Sequence, residues 1–170
     1  MKIYETKVEA GTKQWLKIPV DEECSLKAAA FCGSRPGKRL IVTAGVHGCE
    51  YIGILAVSRL IQELDPRQMK GEVVFLPIAN EGGFYKEIKQ LVPEDGVNLN
   101  RAFPGTEMGS RSAKIAAAVE TYLYPDADFL VDLHSGDIHE MVVPFAFFPV
   151  AAGETVEKKA AAAARAMSLS

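Results

Sequence analysis

Two short apolar runs, residues 40–44 (LIVTA) and 129–133 (FLVDL), constrain the fold more than any other feature of this chain. Each is about the length of a strand, is rich in β-branched or aromatic residues, and runs directly into a segment of Gly and His. The first reads as a strand buried on both faces of a sheet, and the second as a further strand. Between them, residues 50–64 repeat apolar positions at helical spacing and stop before Pro66. Residues 72–78 give a further buried strand, and residues 112–124 a helix opened by a Ser cap. Alternation of strand and helix implies an α/β fold with a largely parallel sheet. In such folds ligands bind beyond the carboxyl ends of the strands, where both Gly/His segments lie.

The remaining elements follow from punctuation. Residues 15–20 and 26–32 are expected to form a hairpin across Asp21-Glu22-Glu23, with Arg35-Pro36-Gly37 as a turn and residues 80–83 as a Gly-rich loop. Residues 84–111 are irregular and too long for an idle connection, so they are expected to be functional. Residues 141–148 read as a last strand. The alanine-rich stretch 154–170 reads as a helix with no Gly or Asn stop and little apolar surface to pack. No internal repeat or linker divides the chain, so residues 1–170 are expected to form one catalytic domain belonging to a longer protein.

The chemistry is carried by Gly45-Val46-His47-Gly48-Cys49-Glu50 and Asp132-Leu133-His134-Ser135-Gly136. Two imidazoles and one carboxylate are the ligand set of a catalytic zinc, which keeps a fourth position open. A closed structural site would take four ligands, usually thiolates, and Cys24, Cys32 and Cys49 are too scattered to supply them. Taken singly, His47 could be a hydrogen-bonded strand-end residue and Glu50 a first-turn carboxylate complementing a helix dipole. Their spacing, with Gly45 and Gly48 allowing a tight turn, favours one Zn2+ per chain held by His47, Glu50 and His134. Asp132 shares a strand face with His134 and could orient its imidazole from behind. His139, the third histidine, reads as solvent-facing. In Asn98-Leu99-Asn100-Arg101 the Arg101 guanidinium offers a planar fork for a carboxylate, to which Asn100 can add a donor. Arg111 reads as a surface arginine, and Asn80 as a pocket or turn residue.

Composition removes other function classes. A net charge of −3, with no basic stripe, argues against nucleic acid or an anionic membrane surface as partner. No apolar run approaches the roughly 18 residues that span a bilayer. The first residues lack the apolar stretch of a secretory signal, and three unpaired cysteines suit a cytoplasmic location.

The three blocks GVHGCE (45–50), NLNRAFPG (98–105) and DLHSG (132–136) together resemble the succinylglutamate desuccinylase/aspartoacylase family of the zinc carboxypeptidase superfamily. The resemblance implies a three-layer α/β/α sandwich around a mixed, mostly parallel sheet, incomplete at the C-terminus. It implies zinc on His47, Glu50 and His134, and a substrate carboxylate held by Asn100 and Arg101. It also implies hydrolysis of the amide bond of an N-acyl amino acid or similar small carboxylate. Two departures accompany it. The arginine that polarises the scissile carbonyl in the aspartoacylase branch has no counterpart in Gln90-Leu91-Val92-Pro93-Glu94-Asp95. The family's general-base glutamate is expected beyond residue 170, and Glu140, Glu154 and Glu157 do not match its context. A zinc carboxypeptidase acting on peptides has the same ligands. A non-catalytic metal- or ligand-binding protein would keep the zinc and the Asn-Arg pair without turnover.

Overall fold

In the computed structural model, which describes residues 1–167, the chain divides into two compact units, Met1–His139 and a second that starts at Glu140. The first unit opens with a small hairpin, β1 (Lys2–Ile3) and β2 (Thr6–Lys7). Strands β3 (Thr12–Pro19), β4 (Ser25–Cys32) and β5 (Arg35–Ala44) follow, then helix α1 (Tyr51–Glu63) and strand β6 (Lys70–Leu76). Next come the short helix α2 (Glu81–Tyr85), a second small hairpin of β7 (Leu91–Val92) and β8 (Val97–Asn98), helix α3 (Arg111–Tyr122) and strand β9 (Phe129–Leu133). The main sheet has the order β3-β4-β6-β5-β9. Strand β4 is antiparallel to both of its neighbours, whereas β5 is parallel to β6 and β9. Four of the five strands therefore point the same way, the mixed and mostly parallel arrangement that the family resemblance implies.

Side-chain parity builds the layers. Ala28, Ala30, Ile41, Val74 and Leu76 pack with Ile115, Ala116 and Val119 of α3. The alternate positions Ala29, Phe31, Val42, Ala44 and Phe75 pack with Ile54, Val57 and Ile61 of α1. Because successive strand residues point to opposite faces, α1 and α3 cover opposite sides of one sheet, giving three layers. Full burial of a side chain such as Ile41 or Phe75 contributes about 1.5–3 kcal/mol.

Three local expectations are corrected. Arg35-Pro36-Gly37 is no turn but the start of β5; its pairing with β6 is irregular between Arg35 and Arg39, a place where a strand tolerates proline. Residues 80–83 enter helix α2, because Asn80 caps it by accepting the Gly83 N–H at 2.9 Å. Residues 141–148 form no strand: among the described residues none pairs with them in a ladder, and Met141 and Phe147 are exposed. The second unit carries helix α4 (Glu154–Ala166), none of whose residues is buried. Among the described residues no helix is long and apolar enough to cross a membrane.

Candidate metal centre

Strands β5 and β9 run side by side with Ala44 opposite Leu133, so the segments that follow them emerge at the same edge of the sheet. Gly45 turns the chain there in the left-handed region (φ 62°). Gly48 lies against the α2 backbone so closely that a Cβ would sit 2.2 Å from the Gly83 carbonyl carbon. Residues 41–50 are all buried, so His47 and Glu50 are fixed before α1 begins. Glu50 is the residue that starts α1, yet its side chain does not cap the helix. It turns instead to the two imidazoles.

The distances bring the three expected ligands together. His47 Nδ1 is 2.7 Å from Glu50 Oε1, and His134 Nδ1 is 2.8 Å from Glu50 Oε2. The imidazole centroids are 5.0 Å apart, and one ligand atom from each residue falls within 4.8 Å of the others. The Ser135 N–H also donates to Glu50 Oε2 at 3.1 Å. Two imidazole nitrogens and a carboxylate oxygen this close together are a donor set that fits a metal ion such as zinc. Behind His134, Asp132 Oδ2 stands 2.8 Å from Nε2, and the Thr43 hydroxyl donates to Asp132 Oδ1 at 2.6 Å. The geometry anticipated for Asp132 is therefore present.

The electrostatics follow from these contacts. Burial opposes ionisation of Glu50, but hydrogen bonds from His134, His47 and Ser135 outweigh it and bring its pKa down to about 2. Asp132 first, then Glu50, holds His134 protonated up to about pH 10, against its partial burial. A metal ion entering the site therefore displaces a proton from His134.

The long connection contributes through structure the sequence did not reveal. The Asn80 amide donates to the Leu91 carbonyl at 3.1 Å and ties the β7–β8 hairpin to the start of α2. Strand β8 thereby brings Asn98 to the site, where its Oδ1 is 3.1 Å from His47 Nε2. Asn98 also starts a single 3-10 turn, Leu99–Arg101, that is anchored by fully buried Leu99. Asn100 and Arg101 are exposed on this turn, and Arg101 makes only a 3.5 Å contact to the Asn100 carbonyl among the described residues. Asn100 and Asp132 both line a cavity of about 290 Å³ with Thr43, Phe103 and Tyr124. A larger hollow of about 660 Å³ at Asp21 and Arg111 contains none of the three metal-type ligands. Arg111, read as a surface arginine, is instead largely covered and paired with Asp21 at 2.7 Å, whereas His139 is exposed and stands outside the cluster. Asn98 was the residue that sequence reasoning left without a role, because its contact with His47 spans 51 positions.

Comparisons with known proteins agree with this picture. Residues 36–170 match the succinylglutamate desuccinylase/aspartoacylase catalytic domain. Over 137 residues the chain is 35% identical to N-alpha-acetyl-L-2,4-diaminobutyric acid deacetylase of Halomonas elongata, covering 78% of this chain and 40% of that protein. An aspartoacylase family protein from Mesorhizobium loti superposes with a TM-score of 0.77 at 31% identity, over 93% of this chain and 51% of its own. The product-bound ectoine utilization protein EutE of Ruegeria pomeroyi gives 0.78 at 27% identity, over 93% and 50%. The chain thus spans about half, or less, of the length of these relatives.

Proposed function

The chain belongs to the succinylglutamate desuccinylase/aspartoacylase family, and from that premise we propose that it carries the zinc centre of a hydrolase that cleaves the amide bond of N-acyl amino acids or similar small carboxylates. The observation that carries the reading is the convergence of His47, Glu50 and His134 at the end of two parallel strands, with Asn98, which starts the turn bearing exposed Asn100 and Arg101, in contact with His47. Zinc, when bound there, supplies Lewis acidity toward the amide carbonyl and acidifies water toward a pKa of about 7. His47, Glu50 and His134 hold it; Asp132 keeps the His134 ring oriented through Nε2. Arg101 and Asn100 grip the substrate carboxylate and so place the amide carbon at the metal, the positioning contribution to rate. The name of the Halomonas relative, a deacetylase of an α-N-acetylated diamino acid, supports an acylated amino acid as substrate class.

A second reading, a metal- and carboxylate-binding protein without turnover, is favoured by one observation. No hydrogen bond or ion pair among the described residues brings a second glutamate to the trio as proton carrier. The two readings separate in one assay, in which the zinc-loaded protein is given N-α-acetyl-L-2,4-diaminobutyrate, N-acetyl-L-aspartate and N-succinyl-L-glutamate and free amine is measured. The hydrolase reading expects zinc-dependent release from at least one, with kcat/KM falling about tenfold to a hundredfold in Arg101→Ala, the loss of charged hydrogen bonds. Bound zinc without release from any of them overturns it in favour of the binding protein.

A further inference from the structure

One oxygen connects the metal centre to the carboxylate-binding turn. Asn98 Oδ1 lies 3.1 Å from His47 Nε2 and accepts the Asn100 backbone N–H at 2.9 Å. The second contact identifies the atom: a backbone N–H can only donate, so the side-chain atom facing it is the carbonyl oxygen and not the amide nitrogen. The same oxygen then requires His47 to donate from Nε2, which leaves Nδ1, the nitrogen turned toward Glu50, as the one available to a metal ion. The position of this oxygen is itself fixed. Strand β8 pairs Asn98 with Leu91, and the next residue, Leu99, is fully buried.

We propose that Asn98 is a positioning residue through which metal binding and carboxylate binding are coupled: its side-chain oxygen orients His47 for the metal and, in the same place, sets the turn that presents Asn100 and Arg101. This rests on the assignment of His47 as a metal ligand and of the Asn-Arg pair as the carboxylate clamp. A shift of the imidazole as Nδ1 takes a metal ion moves the hydrogen-bond donor on Nε2. Asn98 Oδ1 transmits that shift to the Asn100 N–H, two residues away in sequence but on the substrate side of the site. Coupling of this kind is reciprocal, so a ligand that orders the turn also tightens the hold on the metal. The partner of His134 differs, because Asp132 is tied to Thr43 on the neighbouring strand and, among the described residues, makes no hydrogen bond to the turn.

The test uses zinc alone, with affinity measured by competition against a chromophoric chelator and the Asn100 and Arg101 amides followed by NMR. In the wild type, zinc is expected to shift and protect the Asn100 amide with no substrate present. Asn98→Ala is expected to bind zinc about 10–100-fold more weakly, the usual effect of removing an outer partner of a metal-bound histidine. At saturating zinc its Asn100 amide is expected to show no zinc response. Asn98→Asp keeps an acceptor oxygen and is expected to restore both the affinity and the response, which separates positioning from a general loss of fold. Equal zinc affinity in wild type and Asn98→Ala, or an Asn100 amide that still responds to zinc in Asn98→Ala, overturns the proposal. Zinc affinity and amide shifts need no turnover, so they stand apart from any failure of the hydrolase reading. A wild type that binds no zinc overturns the metal assignment and this proposal together.

Discussion

The two strands that carry the metal-type ligands look alike in sequence and sit differently in the molecule. Strand β5 lies between β6 and β9, with Ile41 and Val42 buried and every residue from 41 to 50 out of solvent. Strand β9 is the last strand of the sheet, and none of its five residues is buried. His47 is accordingly held in a sealed turn, while a third of the His134 side chain is exposed. Their outer partners differ in the same sense: a neutral amide reaches His47, and a carboxylate backed by Thr43 reaches His134. An apolar run specifies a strand, but its burial is set by the neighbours that the rest of the chain supplies.

The comparison is sharpest at one row of the sheet, where Ile41 pairs with Leu130. Ile41 is 0% exposed and Leu130 is 47% exposed. Ile41→Ala is expected to cost about 2–5 kcal/mol through lost burial and a cavity. Leu130→Ala is expected to cost less than about 1 kcal/mol. Urea unfolding of both variants checks this, and equal losses would break the distinction between centre and edge.

A smaller effect concerns pH in the metal-free protein. The His134 pKa is raised from 6.5 to about 10, so its contribution to stability is full below pH 6.5 and lost as pH rises toward 10. The Glu50 pKa is lowered from 4.5 to about 2, so its contribution is full above pH 4.5 and lost as pH falls toward 2. Both contributions are complete between these limits, and urea midpoints measured in chelator are expected to decline on either side. In Asp132→Asn the chief cause of the His134 shift is gone, so the alkaline decline is expected to be smaller and to be complete at lower pH. A midpoint that stays flat from pH 6.5 to 10 would contradict the His134 environment described above.

The α/β alternation was legible because strand and helix periodicities alternate, and because Ile54, Val57 and Ile61 lie at helical spacing; the three layers followed only from the resemblance. The clustering of His47, Glu50 and His134 was legible as well, since His47 and Glu50 stand three apart and each histidine follows the end of an apolar run. What the sequence concealed depends on contacts between distant positions. Asp95 accepts both the backbone N–H (2.8 Å) and the hydroxyl (2.6 Å) of Ser112, so a loop carboxylate serves the start of α3, where Ser110 makes no capping bond. Pro36 and Gly37 carry the signature of a turn, yet they lie in β5, where the pairing with β6 is irregular between Arg35 and Arg39. Asn98 meets His47 only because the β7–β8 hairpin folds back toward α1. Local pattern cannot report such pairings.

The central claim is that His47, Glu50 and His134 together hold one metal ion. Elemental analysis of purified protein, wild type beside His47→Ala, tests it most directly. The account predicts about one zinc per chain in the wild type and loss of that zinc in the variant. A wild type without metal, or a variant that retains it in full, would contradict the assignment.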